Sequence, residues 1–84
     1  MLSRREFQLN KLGTVIHVSR SRKLILRTKI RVKNGMQVFD DENNSVGNIV
    51  EIFGPVKNPY VSIKPRINDL SNYVGRSLYI INEK

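Results

Sequence analysis

Apolar and polar positions alternate along this chain in short runs with a period of two, not the three-to-four spacing of an amphipathic helix. From Leu12, the segment Leu-Gly-Thr-Val-Ile-His-Val-Ser is rich in β-branched residues and ends in the polar turn Ser19-Arg20-Ser21-Arg22, which predicts a first strand. Lys23 to Lys33 alternates throughout. Leu24, Leu26, Thr28, Ile30 and Val32 fall on one side, and Ile25, Arg27, Lys29, Arg31 and Lys33 on the other. That pattern predicts a half-buried second strand with a basic outer face, long enough to require a bend. Asn34-Gly35 is a turn signal, because both residues tolerate positive φ. Met36 to Phe39 predicts a third strand, the run Asp40-Asp41-Glu42-Asn43-Asn44 a solvated turn, and Val46 to Phe53 a fourth strand. Gly47 inside that strand marks a bulge or a close backbone approach. Gly54 to Pro59 carries two prolines and predicts a stiff loop before a fifth strand, Tyr60 to Lys64. Arg66 to Asn72 is short enough for a turn or one helical turn, and Ser77 to Ile81 predicts the last strand.

Six short strands separated by turn residues predict an all-β fold, a small six-stranded closed β-barrel. Leu24, Leu26, Val38, Phe39, Ile49 and Val61 are the expected contributors to one core. Residues 11–81 form the expected single barrel domain, with 1–10 an N-terminal tail or lead-in and 82–84 a C-terminal tail. A chain of 84 residues has room for one small core and no deep catalytic cleft. It contains no cysteine and one histidine, which excludes disulfides, thiolate chemistry and a multi-histidine metal site. No cofactor is expected. No apolar run approaches the length of a membrane span and no signal-peptide core follows Met1, so the expectation is a soluble intracellular protein with no membrane partner.

Charge changes the picture more than size does. Fifteen Lys and Arg against seven Asp and Glu give a net charge of +8, and such an excess usually serves a polyanionic neighbour. The excess is uneven: residues 1–33 hold ten basic residues and one acid, whereas residues 34–84 hold five basic residues and six acids. Arg20, Arg22, Lys23, Arg27, Lys29, Arg31 and Lys33 succeed one another with no acid between them. They are candidates for contact with RNA or for electrostatic steering. The bland alternative is a solvated strand face that blunts a sheet edge. The six aromatic residues do not interleave with this run, so no base-stacking platform is evident.

Candidate catalytic groups are sparse. Asp40, Asp41 and Glu42 lack the spacing of a calcium loop, and His17 has no identifiable serine or aspartate partner. An enzyme is therefore disfavoured. The stretch Ile52-Phe53-Gly54-Pro55-Val56-Lys57-Asn58-Pro59-Tyr60 is the other distinctive feature. A proline-stiffened loop bearing an apolar side chain loses little entropy on docking, which suits protein recognition. A barrel corner in which Phe53 and Tyr60 merely fill the core is the alternative.

Val38-Phe39-Asp40, the run Val46 to Pro65 with its Phe-Gly-Pro-Val and Asn-Pro-Tyr elements, the opening Leu12 to Ser19 with Lys23 to Arg27, and the closing Gly75 to Ile80 together resemble the Gar family. This is the glycine-arginine-rich small subunit of H/ACA guide-RNA pseudouridylation particles. The resemblance covers residues 11–81. It implies a barrel akin to the small barrels of translation factors and an archaeal, cytoplasmic form lacking the Arg/Gly-rich tails of eukaryotic members. Thr28 to Lys33 is more basic than the Pro-containing connection often found there. The resemblance further implies a non-catalytic subunit docking on a dyskerin-type pseudouridine synthase, where it promotes substrate loading and release in rRNA modification. Phe53, Gly54, Pro55, Val56, Pro59 and Tyr60 are the expected synthase-binding residues. The competing expectation is a free-standing barrel that binds RNA directly through its basic face.

Overall fold

The computed structural model describes the backbone of residues 7–83 and the side chains of residues 9–81. Its strands are β1 (Phe7–Val18), β2 (Leu24–Arg27), β3 (Gln37–Phe39), β4 (Ser45–Phe53), β5 (Tyr60–Pro65) and β6 (Ser77–Glu83), with one 3-10 turn at Leu70–Tyr73. They pair antiparallel in the order β1-β2-β5-β4-β3-β6, and β6 returns to β1 to close the barrel. The closed all-β barrel read from the alternation is the fold that forms. Closure reduces the open sheet edge on a strongly basic chain.

Both ends of the barrel extend past the expected domain bounds. Phe7, Gln8 and Leu9 pair with Glu83, Asn82 and Ile81, so residues 7–10 and 82–83 are strand, not tail. Backbone pairing holds them there, and Leu9 remains 46% exposed. Alternation therefore carried no signal of the strand. Residues 1–6 and 84 of the expected tails lie outside the described residues.

Leu24, Leu26, Val38, Ile49 and Val61 are buried in one core, joined by Val15, Val46, Ile63, Leu78 and Ile80. Phe39 departs from the expectation. Val38 faces inward, so its strand neighbour Phe39 faces the other way, half-buried and paired across to Tyr79. Gly47 meets its expected role: a Cβ there would collide with the Lys64 carbonyl of the neighbouring strand. The register slips at the adjacent Val46, and again at Leu12, Ile16 and Val50. Such bulges supply the bends that a small barrel needs.

The second strand is shorter than its pattern. Its last ladder pair with β5 is Arg27↔Tyr60, where β5 begins, and its pairing with β1 also stops, at Val15↔Leu26. The Thr28 N–H donates to the Pro59 carbonyl at 3.0 Å, and the Thr28 hydroxyl accepts from the Ile30 N–H at 3.2 Å, which turns the chain. Thr28 is nonetheless buried, and Ile30 and Val32 pack on the core from an irregular segment. Inward alternation persists after the strand hydrogen bonding has stopped.

Candidate functional site: an apolar loop and a divided basic surface

Between β4 and β5 the loop 54–59 is braced from several directions. Gly54 sits at φ 94°, a left-handed conformation costly to any residue with a Cβ. The rings of Phe53 and Tyr60 stack across the loop base, centroids 5.5 Å apart at 21°. Arg27 lies over the Tyr60 ring with its guanidinium carbon 4.9 Å from the centroid, and its Nε donates to the Asn58 carbonyl at 3.3 Å. The Thr28–Pro59 bond adds a further clamp. Held in this way, Val56 is 95% exposed at the loop tip. Of the expected contact residues, Phe53, Gly54, Pro55 and Val56 lie at the surface, while Pro59 and Tyr60 are half-buried supports.

Two depressions flank the loop. An apolar one of about 420 Å³ is lined by Ile16, His17, Ser19, Ile25, Phe53 and Tyr60. Ile16 follows the inward-facing Val15 and so faces outward, 46% exposed, while the bulge between Val15 and His17 leaves His17 exposed beside it. The adjacent apolar pair Val15-Ile16 breaks strict alternation, and that break is the sequence signal for the bulge. Ile25 lies on the outer face, as its position in the pattern requires, yet it is only 7% exposed, because this outer face is itself apolar. On the other side, a groove of about 350 Å³ is lined by Lys29, Ile30, Arg31, Val32, Ile52, Val56, Lys57 and Pro59. Apolar loop and basic segment, separate in the sequence, meet there.

The seven basic residues do not share one strand face. Arg20, Arg22 and Lys23 occupy the β1–β2 hairpin, whereas Arg27, Lys29, Arg31 and Lys33 lie at and beyond the far end of β2. The expected alternation of Arg27, Lys29 and Arg31 on a strand fails because the chain leaves the sheet at Thr28. What results is two basic surfaces at opposite ends of the β2–β5 ladder.

The acidic turn is also unlike its expectation. Asp41 and Glu42 are exposed, but Asp40 is 1% exposed. Its Oδ1 accepts from the N–H groups of Glu42 and Asn44, both at 2.9 Å, and its Oδ2 accepts from the Tyr73 hydroxyl at 3.1 Å. Arg76 donates to Asp41 at 3.0 Å, approaches Asp40 to 3.9 Å, and covers the Tyr73 ring at 4.6 Å. Burial pushes the Asp40 carboxyl up, but the hydrogen bonds from Asn44, Glu42 and Tyr73 outweigh it and leave the group below its ordinary value. Burial, then the bond to Asp40, raises the Tyr73 phenol. This network joins the β3–β4 turn to the approach of β6, beside the single ladder pair Phe39↔Tyr79 that links β3 and β6. Its work is structural. Among the described residues no cluster of three His, Cys, Asp or Glu is placed to hold a metal, and no helix is long and apolar enough to cross a membrane.

These features define a small closed antiparallel barrel that presents a braced apolar loop and two basic surfaces. The chain belongs to the Gar1/Naf1 family: the family model described as the Gar1/Naf1 RNA binding region matches residues 9–83. An uncharacterized protein of Methanothermobacter thermautotrophicus is 40% identical over 73 residues, covering 82% of this chain and 79% of that one. A second uncharacterized protein, from Methanocaldococcus jannaschii, is 37% identical over 70 residues, covering 83% of each. The solved structure of the Gar1 domain of Naf1 shares the fold with a TM-score of 0.71 at 19% identity, covering 92% of this chain and 85% of that one. The family resemblance in the strand and loop motifs is thereby upheld.

Proposed function

We propose that this chain is a non-catalytic protein subunit of an archaeal H/ACA ribonucleoprotein. In this reading it docks on the dyskerin-type pseudouridine synthase and promotes loading and release of substrate RNA during rRNA pseudouridylation in the cytoplasm. The family membership supports the particle. The observation that carries docking is Val56, 95% exposed at the tip of a loop braced by the Phe53–Tyr60 stack. An exposed apolar side chain on a preorganised loop gains burial on docking without a large ordering penalty. Phe53 and Ile16, each at least 40% exposed, add an apolar surface in the other depression beside the loop.

The test is Val56→Asp, with Glu51→Ala as an exposed control on the same strand-loop unit. Val56→Asp should keep the barrel's circular dichroism and melting temperature while weakening synthase binding by about 2 kcal/mol or more. Because the subunit aids turnover and not chemistry, multiple-turnover modification should fall further than single-turnover modification. Equal affinity and equal turnover for Val56→Asp and Glu51→Ala would remove the loop from the interface. Direct binding of RNA by the basic residues is a second reading, favoured by the many exposed cations and compatible with the first.

A further inference from the structure

We propose that the barrel end opposite the apolar loop is a binding site for the sugar-phosphate backbone of RNA, formed by Arg22, Lys23 and Lys64 with Arg20 and Arg66 at its edge. Two separate segments build it. The β1–β2 hairpin contributes Arg20, Arg22 and Lys23, and the end of β5 contributes Lys64, followed by Arg66. The ladder pair Leu24↔Ile63 brings the next residues, Lys23 and Lys64, level with each other, and both line one open groove of about 300 Å³ with Arg22 and Asn68.

Like charges set opposite each other across two strands oppose folding. Here no ion pair among the described residues offsets them: the two that form there both belong to Arg76. Asp69, the acid nearest in sequence, is engaged with Ser71 and Asn72. The charged heads are also held in place. The Arg22 guanidinium donates to the Asn68 carbonyl at 3.3 Å, and the Lys23 ammonium donates to the Ser21 hydroxyl at 3.3 Å. Arg22 adopts φ 62°, a backbone conformation that glycine or asparagine would take more readily. The repulsion is relieved when an external anion supplies the missing charge.

The ligand is an extended phosphodiester and not a single base or an apolar surface. Arg22, Lys23, Lys64, Ser21 and Asn68 line the groove together with the buried Leu70 and the half-buried Pro65 and Ile67, and no aromatic ring is among them for stacking a base. RNA is the source that the family's description favours. The cations at the other end are differently committed. Arg27 is occupied by Tyr60 and Asn58, and Lys29 and Arg31 border the groove that contains Val56. This inference does not depend on synthase docking, because it uses the other end of the barrel.

The experiment measures binding of a short single-stranded oligouridylate by fluorescence anisotropy across a salt series, using the full chain. Lys23→Gln/Lys64→Gln should bind about tenfold more weakly at low salt, with a log–log salt slope shallower by about 1.4, at about 0.7 for each phosphate that is no longer neutralised. The same variant should melt no lower than the parent, because it removes a repulsion. Arg22→Gly, which relaxes the backbone while deleting one guanidinium, should also lose affinity and covers the case in which the double variant fails to fold. Lys29→Gln/Arg31→Gln and Val56→Asp should bind the oligonucleotide as the parent does. Unchanged affinity and slope in both the Lys23/Lys64 and Arg22 variants would overturn the site, as would an equal loss in Lys29→Gln/Arg31→Gln.

Discussion

The Asp40 carboxylate is 1% exposed, and its oxygens are divided between two backbone N–H groups on one side and the Tyr73 hydroxyl with the Asn44 amide on the other. An ionised acceptor makes stronger bonds than a neutral one, so the charge itself contributes to stability. Asp40→Asn keeps the shape and one oxygen but sets an amide donor against the Asn44 amide. The expected loss is about 2 kcal/mol at neutral pH, read from urea denaturation. The sign with pH follows from the direction of the shift. Asp40 titrates below its ordinary value of 3.8, so its contribution is complete above that value and is lost as pH falls through the lower folded value. Parent and Asp40→Asn should therefore differ most near neutrality and converge in strong acid. A gap that stays constant into strong acid would mean that the carboxylate's charge is not what stabilises the turn.

Within single elements, sequence pattern and hydrogen bonding part company at β2. The inward set Leu24, Leu26, Thr28, Ile30 and Val32 was legible because burial follows side-chain direction, and each of these residues is buried or packed on the core. The end of the strand was not legible, because it is set by where pairing with β1 and with β5 stops, and β5 lies far along the chain. Residues 7–10 were missed for a different reason: their short run shows no sustained alternation, and the strand is held by backbone pairing with β6. In the candidate site, the loop was legible from its prolines and aromatics. Ile16 was not singled out, since its meeting with Phe53 depends on how distant strands come together in the barrel. Gly54 tests how strongly the loop is braced. At φ 94°, an added Cβ would also stand 2.9 Å from Cδ2 of Tyr60, so Gly54→Ala must shift either the backbone or the ring. A loss of about 1–2 kcal/mol is expected, accompanied by weaker synthase binding because the Phe53–Tyr60 stack is disturbed. Full stability with full binding in Gly54→Ala would show that neither the turn nor the stack matters to the loop's shape.

At the scale of the whole molecule, the seven cations from Arg20 to Lys33 gather at two ends of one ladder and not on one face. The three residue steps of β2 between Leu24 and Arg27 span about 10 Å, and the side chains beyond add to that separation. At physiological ionic strength the screening length is about 8 Å, so each end acts on its own partner with little help from the other. Lys29, Arg31 and Lys57 border the groove that contains Val56, and all three are exposed. Exposed charges at the rim of an interface govern encounter more than residence. Changing all three to glutamine should slow association with the synthase several-fold at low salt and flatten its salt dependence. Dissociation should stay within about twofold, because the apolar contact made by Val56 and Phe53 is untouched. Lys23→Gln/Lys64→Gln, by contrast, should leave synthase association near the parent's value at physiological salt while reducing RNA affinity. Stopped-flow association and dissociation rates for both variants, each at two ionic strengths, decide the matter. If the two sets of changes slow synthase association equally, the barrel acts as one diffuse positive body, and the separation of its ends has no functional meaning.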